Sequence, residues 1–208
     1  MAAMAARTTR ASADSTRASI LEAALDVFSE RSFEGATTRE IATRAGVTQP
    51  LLNYHFSTKD ELWRAAVDRV FATLNDALAA RAEGLRGVDA LTTQKLLIRE
   101  FVLFSAHNPQ LHRIITAESK ADGPRMDWLV DQHVRPLYAA TTATFARLVE
   151  QGHVQPIAPM HLYYILTGAA PTLFVLGPEC RRLSGVDPFT PDVIEAHADA
   201  VITLLFGS

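Results

Sequence analysis

Apolar side chains recur at spacings of three and four along almost the whole chain, and the two-residue alternation of a β-strand is nearly absent. Leu21, Leu25 and Phe28 illustrate the pattern, since they share one face of a predicted helix while Glu22 and Glu30 take the opposite face. The chain has 208 residues, of which 48% are hydrophobic, so it has ample material for a core. These features predict an all-α protein.

The segment after the first helix is rich in signals for helix ends. Residues 37–40 read Thr-Thr-Arg-Glu, which is a capping box: Thr37 caps the amide of Glu40, and the Glu40 side chain returns the bond. A short helix follows, and Gly46 then suits the left-handed turn that glycine adopts without strain. These signals predict a short second helix that ends in a tight turn.

A third short helix and a long fourth one are predicted next. Thr48 caps the third helix and Pro50 is tolerated in its first turn, because no amide partner is lost there. The helix ends at Phe56, and a new cap at Ser57, with Asp60 at the reciprocal site, starts a helix that runs to about residue 81. Short helices joined by turns of three or four residues are typical of a helix-turn-helix unit with its supporting helix.

Proline or glycine marks most of the later boundaries. Further helices are predicted at about Val88–His107, Gln110–Glu118, Pro124–Gln151, Pro159–Leu176 and Pro191–Phe206. The composition shifts near residue 81, from a compact motif-rich segment to a larger apolar one. We therefore expect a flexible N-terminal arm (residues 1–19), a helix-turn-helix DNA-binding domain (residues 20–65, with a linking helix to about residue 81) and a larger helical domain for ligand binding and dimerisation (residues 66–208).

The third predicted helix carries the chemistry of a DNA-reading helix. In a helix-turn-helix unit the second helix enters the major groove, with its N-terminal residues nearest the base edges. A threonine suits a phosphate, a glutamine suits adenine, and the apolar pair after them suits thymine methyl groups. Lys59, at the start of the supporting helix, is placed to reach a phosphate. The candidate DNA-binding residues are Thr38, Arg39, Thr48, Gln49, Pro50, Leu51, Asn53, Tyr54, His55 and Lys59.

Total charge does not reveal a nucleic-acid partner. The net charge is −3, and residues 1–63 carry seven basic and eight acidic side chains. DNA binding therefore depends on where the cations lie rather than on their number. In the predicted arm, Arg7, Arg10 and Arg17 face only Asp14. Two roles stay open for these arginines, entry into an adjacent minor groove or simple solvation.

Residues 20–67 read ILEAALDVFSERSFEGATTREIATRAGVTQPLLNYHFSTKDELWRAAV, with a Phe33–Gly35 corner, a His55-Phe56 pair and a Lys59–Leu62 segment. This set of spacings resembles the DNA-binding domain of TetR-family transcriptional regulators. One position departs from the family pattern, because Asn53 stands where the family usually has a tyrosine that contacts a phosphate. A contact of Asn53 with a base or a sugar takes the place of that contact in our prediction.

The resemblance implies a cytoplasmic homodimer that binds a near-palindromic operator in double-stranded DNA, most often as a repressor, and releases it when a small molecule enters the C-terminal domain. Two copies are also expected on physical grounds, because a two-fold dimer reads two half-sites about one helical turn apart. By the same resemblance, the last two long helices form the dimer interface. The candidate interface residues are Tyr163, Tyr164, Leu166, Ala170, Leu173, Ile194, His197, Val201, Leu204 and Leu205.

The small-molecule pocket is expected among the central helices. Aromatic and aliphatic residues occur there with a few polar ones, a combination that suits a largely apolar or aromatic effector and suits an ordinary helical core equally well. The candidate pocket residues are Phe101, Phe104, His107, Leu111, Ile115, Trp128, Leu129, His133, Leu137, Phe145 and Phe174.

Other functions fit the sequence less well or equally well. An activator, or a DNA-binding protein without a ligand, fits the same residues, because the difference depends on where the operator lies. An enzyme is disfavoured, since the chain has no glycine-rich phosphate loop, no Gly-x-Ser-x-Gly elbow and no metal-protease motif. His107, His112 and His133 lack the i, i+4 spacing of a helical zinc site, so we expect no metal and no other cofactor.

Two further features bear on the compartment of the chain. Its single cysteine, Cys180, excludes a disulfide framework and suits a reducing cytoplasm. No Asp, Glu, Lys or Arg occurs between Glu150 and Glu179, but prolines interrupt this segment. Its longest clean apolar run, Leu162–Leu176, falls short of the ~20 residues that a membrane span needs. A buried helix is therefore predicted there.

Overall fold

The computed structural model describes the backbone of residues 2–207 and the side chains of residues 14–207. Over these residues the chain is helical and contains no β-strand, which confirms the predicted all-α fold. The helices are α1 (Ala2–Gly35), α2 (Thr38–Arg44), α3 (Gln49–His55), α4 (Lys59–Gly84), α5 (Ala90–His107), α6 (Pro109–Ala121), α7 (Pro124–Leu129), α8 (Arg135–Glu150), α9 (Pro159–Val175), α10 (Gly177–Ser184) and α11 (Pro191–Phe206). A π-helical turn (Val130–Val134) joins α7 to α8.

The chain forms two compact units, and the division between them falls inside α4, between Phe71 and Ala72. The sequence predicts this boundary a few residues earlier, near residue 65. The first unit includes Arg69 of α4, whose Nη1 donates a 2.7 Å hydrogen bond to the carbonyl oxygen of Ala18 on α1. Each unit therefore contains a part of α4.

α1 begins earlier than the sequence predicts. A flexible arm was expected over residues 1–19, whereas α1 starts at Ala2 and includes residues 14–19. Alanine and arginine favour helix, and no glycine or proline occurs before Gly35 to end it. The side chains of Arg7 and Arg10 lie outside the described residues. Arg17 lies in α1, with its guanidinium carbon 5.1 Å from the centre of the Phe56 ring.

Aromatic rings hold the first unit together around a kink near the C-terminal end of α1. Phe33 stacks on Phe28 with ring centres 5.9 Å apart and meets the Trp63 ring at a right angle, 6.4 Å away. The chain turns at Ser32, whose φ of 59° and ψ of 172° lie in a region that strongly favours glycine. The Ala36 N–H then donates a 3.2 Å hydrogen bond to the Ser32 carbonyl. A strained backbone position thus directs the chain into α2.

Helices α5, α8, α9 and α11 enclose the core of the second unit. Polar contacts also fix α5 and α9 to α11. Arg99 on α5 pairs with Glu195 and Asp199 on α11, and His197 Nε2 on α11 lies 3.1 Å from the carbonyl oxygen of Ala169 on α9. The buried residues of this core are Ile98, Val102, Ala106, Phe145, Leu148, Val154, Leu162, Leu166, Ala170, Phe174, Ile194, Ala198, Val201 and Leu205.

Two elements of the second unit differ from the prediction. The single helix predicted over residues 124–151 consists of α7, the π-helical turn and α8. Pro136 has no N–H, and in an α-helix its ring would clash with the Gln132 carbonyl. The helix widens instead, and the Arg135 N–H donates to the Val130 carbonyl, five residues back. α10 was not predicted, because the sequence Gly-Pro-Glu-Cys-Arg-Arg-Leu-Ser has too few apolar residues for a periodic pattern.

In the described part of the chain, no helix is by itself long and apolar enough to cross a membrane. α9 and α10 reach that length and composition only together, and they are bent by 70° where they meet. The apolar run in α9 instead supplies Leu162, Leu166 and Phe174 to the core.

Candidate DNA-binding surface

A helix cap and ion pairs fix α2 to α1. Thr37 Oγ1 accepts a 3.1 Å hydrogen bond from the Glu40 amide, as the capping box predicts. The Glu40 carboxylate lies 3.6 Å from Arg31 Nε, so an ion pair replaces the reciprocal half of the predicted box. Arg44 forms two hydrogen bonds with the Glu30 carboxylate on α1, of 2.7 and 2.9 Å, and this pairing raises the pKa of Arg44. These contacts set the direction in which α2 leaves the corner.

α3 packs one face on the first unit and presents the other to solvent. Leu52 and Phe56, four residues apart, are buried, as the sequence predicts. Tyr54 is 83% exposed and Leu51 is 40% exposed on the opposite side. The Thr48 hydroxyl makes no cap hydrogen bond, contrary to the prediction, and only the Thr48 carbonyl accepts from the helix. The exposed candidates on this face are Thr48, Gln49, Pro50, Leu51, Asn53 and Tyr54.

Two candidates from α2 lie beside this face. Gln49 Nε2 donates a hydrogen bond of 3.4 Å to Thr38 Oγ1, which links the N-terminal ends of α3 and α2. Arg39 is exposed, and its guanidinium forms no ion pair within residues 14–207. The two helix ends therefore present a hydroxyl, an amide and a free cation side by side, groups that suit phosphates and base edges.

His55 is less accessible than the sequence suggests. The half-buried His55 ring lies between Tyr54, at 5.4 Å, and Phe56, at 6.4 Å between ring centres. Its ring supports Tyr54 from the side of the buried Phe56, and a DNA contact of His55 stays a prediction.

Lys59 contacts the corner before α2, and the expectation that it also reaches a phosphate stays a prediction. The half-buried Lys59 donates from Nζ to the Ala36 carbonyl oxygen at 3.0 Å, and Nζ lies 4.4 Å from the centre of the Phe33 ring. One N–H donor of the ammonium is therefore used inside the unit, and the ammonium has three.

The cap of α4 is displaced by one residue from its predicted position. Thr58 Oγ1, rather than Ser57, accepts the helix amide, that of Glu61, at 3.0 Å. The Glu61 carboxylate in turn accepts from the Ser57 N–H at 2.8 Å, one residue before the N–H that a standard capping box uses. Asp60 is used elsewhere, in a 2.7 Å pair with Arg64. The start of α4, where Lys59 lies, is thus firmly capped.

The candidate pocket residues of the second unit separate into three groups. Phe104, Leu111, Leu129, Phe145 and Phe174 are buried, and Phe101, Ile115, Trp128, His133 and Leu137 are half-buried. His107 is exposed, with Nδ1 2.8 Å from the Leu103 carbonyl oxygen, so it faces its own helix. The rings of Trp128 and His133 meet at a right angle, 5.2 Å apart. A pocket formed by these residues stays a prediction.

Two ionisable side chains of the second unit are buried or half-buried, and the sequence did not predict their burial. Glu118 is buried and pairs with Arg125 Nε at 3.0 Å. Burial lowers the pKa of His112, which favours its neutral form. The described residues contain no group of three or more His, Cys, Asp or Glu side chains that is arranged to hold a metal ion.

Half of the predicted dimer interface lies in the core of the single chain. The predicted residues Leu166, Ala170, Ile194, Val201 and Leu205 are buried there, and they leave no surface for a partner. Tyr163, Leu173 and His197 are half-buried, and only Tyr164 and Leu204 are well exposed, each at 64%. Met160 and Ile165, also exposed, extend the apolar face of α9 beside Tyr164 and were missed. α9 is apolar on all sides, so its sequence does not show which side is buried.

Comparisons with known proteins find similarity to transcriptional regulators. Residues 20–66 match the family described as "Bacterial regulatory proteins, tetR family". The chain is 29% identical over 166 residues to the HTH-type transcriptional regulator RutR of Escherichia coli K12, covering 80% of this chain and 77% of RutR. It is 28% identical over 158 residues to the HTH-type transcriptional repressor KstR2 of Mycobacterium tuberculosis, covering 73% and 75%. The crystal structure of AibR with isovaleryl coenzyme A and operator DNA has a similar fold, with a TM-score of 0.73 and 18% identity over 92% of this chain and 98% of AibR.

Proposed function

Because the chain is a TetR-family transcriptional regulator, we propose that it is a cytoplasmic homodimeric repressor. In this proposal the dimer binds a near-palindromic operator. It leaves the operator when a small, largely apolar effector binds its second unit. Its relatives regulate transcription, and KstR2 is named as a repressor. The chain itself supplies support for each part of the proposal.

The exposed face of α3 carries the proposal of sequence-specific DNA binding. Leu52 and Phe56 anchor one face of α3, so Gln49 and Tyr54 are held outward on a rigid element. Glutamine pairs with adenine through two hydrogen bonds, and a tyrosine hydroxyl contacts bases or phosphates. Arg39, on the neighbouring end of α2, supplies a cation for the DNA backbone.

The exposed apolar residues of α9 and α11 support a dimer. Met160, Tyr164 and Ile165 on α9 and Leu204 on α11 leave large side chains in water, whereas monomeric proteins rarely expose such patches together. A second copy that covers these residues places two reading helices on one duplex, at half-sites ~34–36 Å apart.

The half-buried aromatic residues of the second unit support a small apolar effector. Trp128 lies in α7 and His133 lies in the π-helical turn, their rings meet at a right angle, and Phe101 packs against the core from α5. AibR has a similar fold and was solved with isovaleryl coenzyme A together with operator DNA. In our proposal the effector favours a spacing of the two reading helices that no longer fits adjacent grooves.

Selection of duplexes from a random DNA pool tests DNA recognition. At one fixed salt concentration, the wild-type protein should enrich a near-palindrome, and the double variant Gln49→Ala, Tyr54→Ala should not. Asn75→Ala, an exposed residue of α4 in the other unit, is the matched control and should enrich the same sequence. Binding that enriches no sequence and only weakens with salt would contradict the proposal, because it is the behaviour of non-specific phosphate attraction.

A further inference from the structure

The side chains of Gln49 and Thr38 meet where α3 and α2 begin. Gln49 Nε2 donates to Thr38 Oγ1 at 3.4 Å. This distance is longer than the usual ~2.9–3.0 Å of an N–H···O hydrogen bond, so the contact adds little to the stability of the fold. Its effect is on the amide group of Gln49, since it decides which end of that group faces Thr38 and which end faces outward.

The hydroxyl proton of Thr38 decides which end of the amide Thr38 accepts. A threonine hydroxyl has one proton to donate and lone pairs that accept. The Thr38 oxygen accepts from Gln49, and its proton has no acceptor within the part of the chain that the structure describes. Arg39, the next residue of α2, is an exposed cation that attracts a DNA phosphate to this place. When a phosphate accepts the proton, Thr38 has only lone pairs left for Gln49, and only the N–H end of the amide is able to face it.

An amide fixed in this way reads one purine and rejects the other. In the major groove adenine presents an acceptor, N7, and a donor, the N6 amino group, whereas guanine presents two acceptors, N7 and O6. With one N–H on Thr38, Gln49 offers its other N–H and its carbonyl oxygen, which match N7 and N6 of adenine. At guanine the same carbonyl oxygen faces O6, and the two acceptors repel each other. An amide that is free to turn over brings its N–H groups to guanine instead.

From this geometry we infer that Thr38 is a positioning residue for base recognition. Through the amide of Gln49, it restricts one base pair of each half-site to A·T, in addition to its own contact with a phosphate. The inference rests on the proposed DNA-binding function, and it gives a residue of α2 a part in sequence specificity.

Single base-pair changes in the duplex that the wild-type protein enriches test this role. Fluorescence anisotropy at one fixed salt concentration measures the affinity for each duplex. Gln49→Ala first identifies the base pair that Gln49 reads, because this variant loses the preference there and keeps the others. We expect that pair to be A·T. Thr38→Val should lower the preference for A·T over G·C at this position about tenfold, which corresponds to 1.4 kcal/mol, and should leave the preferences at the other base pairs unchanged.

Thr38→Ser is the matched control, because it keeps the hydroxyl and removes only a methyl group, so it should keep the preference for A·T. The double variant Thr38→Val, Gln49→Ala tests whether Thr38 acts through Gln49. If it does, the double variant should have the same base preference as Gln49→Ala alone. Loss of a phosphate contact by itself weakens binding to all duplexes by a similar factor. If Thr38→Val does only that, the inference is overturned.

Thr38 is half-buried, so thermal unfolding followed by circular dichroism sets a temperature at which each variant is folded. Thr38→Ala also lacks the hydroxyl and should give the same loss of preference, which covers the case in which Thr38→Val does not fold. If the wild-type protein enriches a duplex but Gln49→Ala relaxes no A·T pair in it, this inference is overturned while the proposed DNA binding stands. If the wild-type protein enriches no duplex, the proposed function fails and this inference fails with it.

Discussion

Ser32 offers a direct test of the strained corner that leads into α2. Its φ of 59° and ψ of 172° lie in a region that only glycine occupies readily, and such a position costs a residue with a side chain about 1–3 kcal/mol. Glycine removes this strain but loses about 0.5–1 kcal/mol through the greater freedom of the unfolded chain. Ser32→Gly should therefore stabilise the protein by about 1 kcal/mol.

Urea unfolding followed by circular dichroism measures this difference in the free energy of unfolding. In thermal unfolding, the melting temperature should rise by about 2–4 °C for a chain of this size. Ser32→Ala keeps a side chain at the same φ and should bring no such gain. Ser19→Gly, at an exposed helical position of α1, should destabilise by about 0.5–1 kcal/mol, which shows that glycine is not favourable everywhere. If Ser32→Gly is no more stable than Ser32→Ala, the argument from backbone strain is refuted.

Three further predictions concern the second unit. Tyr164→Glu combined with Leu204→Glu should convert the proposed dimer to a monomer in sedimentation experiments, without lowering helix content. Because burial lowers the pKa of His112, the folded state binds a proton at this residue less readily than the unfolded chain does. The free energy of unfolding should therefore fall as the pH drops below about 6.5. His112→Gln should reduce this pH dependence, which urea unfolding at several pH values measures. Arg125→Met leaves the buried Glu118 carboxylate without this partner and should cost about 3 kcal/mol in the same assay, far more than Glu118→Gln.

The local signals of the first unit were predictable because they depend on neighbouring residues. The Thr37 cap, the buried pair Leu52 and Phe56, and the left-handed Gly46, with a φ of 68°, all follow from short-range patterns. The contacts of Lys59 were not predictable, since its partners Ala36 and Phe33 are distant in sequence and no periodic pattern connects them.

The second unit shows a different limit of sequence reasoning. Hydrophobic periodicity identifies a helix by the contrast between its two faces, and α9 offers little contrast. The sequence therefore predicts that α9 exists but not that Leu166 faces the core while Tyr164 faces solvent. α10 was not predicted for the opposite reason, because Leu183 is its only large aliphatic residue and this side chain is exposed.

The π-helical turn before Pro136 restricts where this chain is able to gain or lose residues in evolution. In an uninterrupted α-helix, Phe145 and Leu148 would point roughly 160° and 100° away from Leu129. The widened turn acts as one inserted residue and rotates α8 back by about 100°, which brings both side chains within about 60° of Leu129. All three are buried. A deletion of one residue here would turn the apolar stripe of α8 by more than a quarter of a circle, so we expect homologues to vary in length outside this segment.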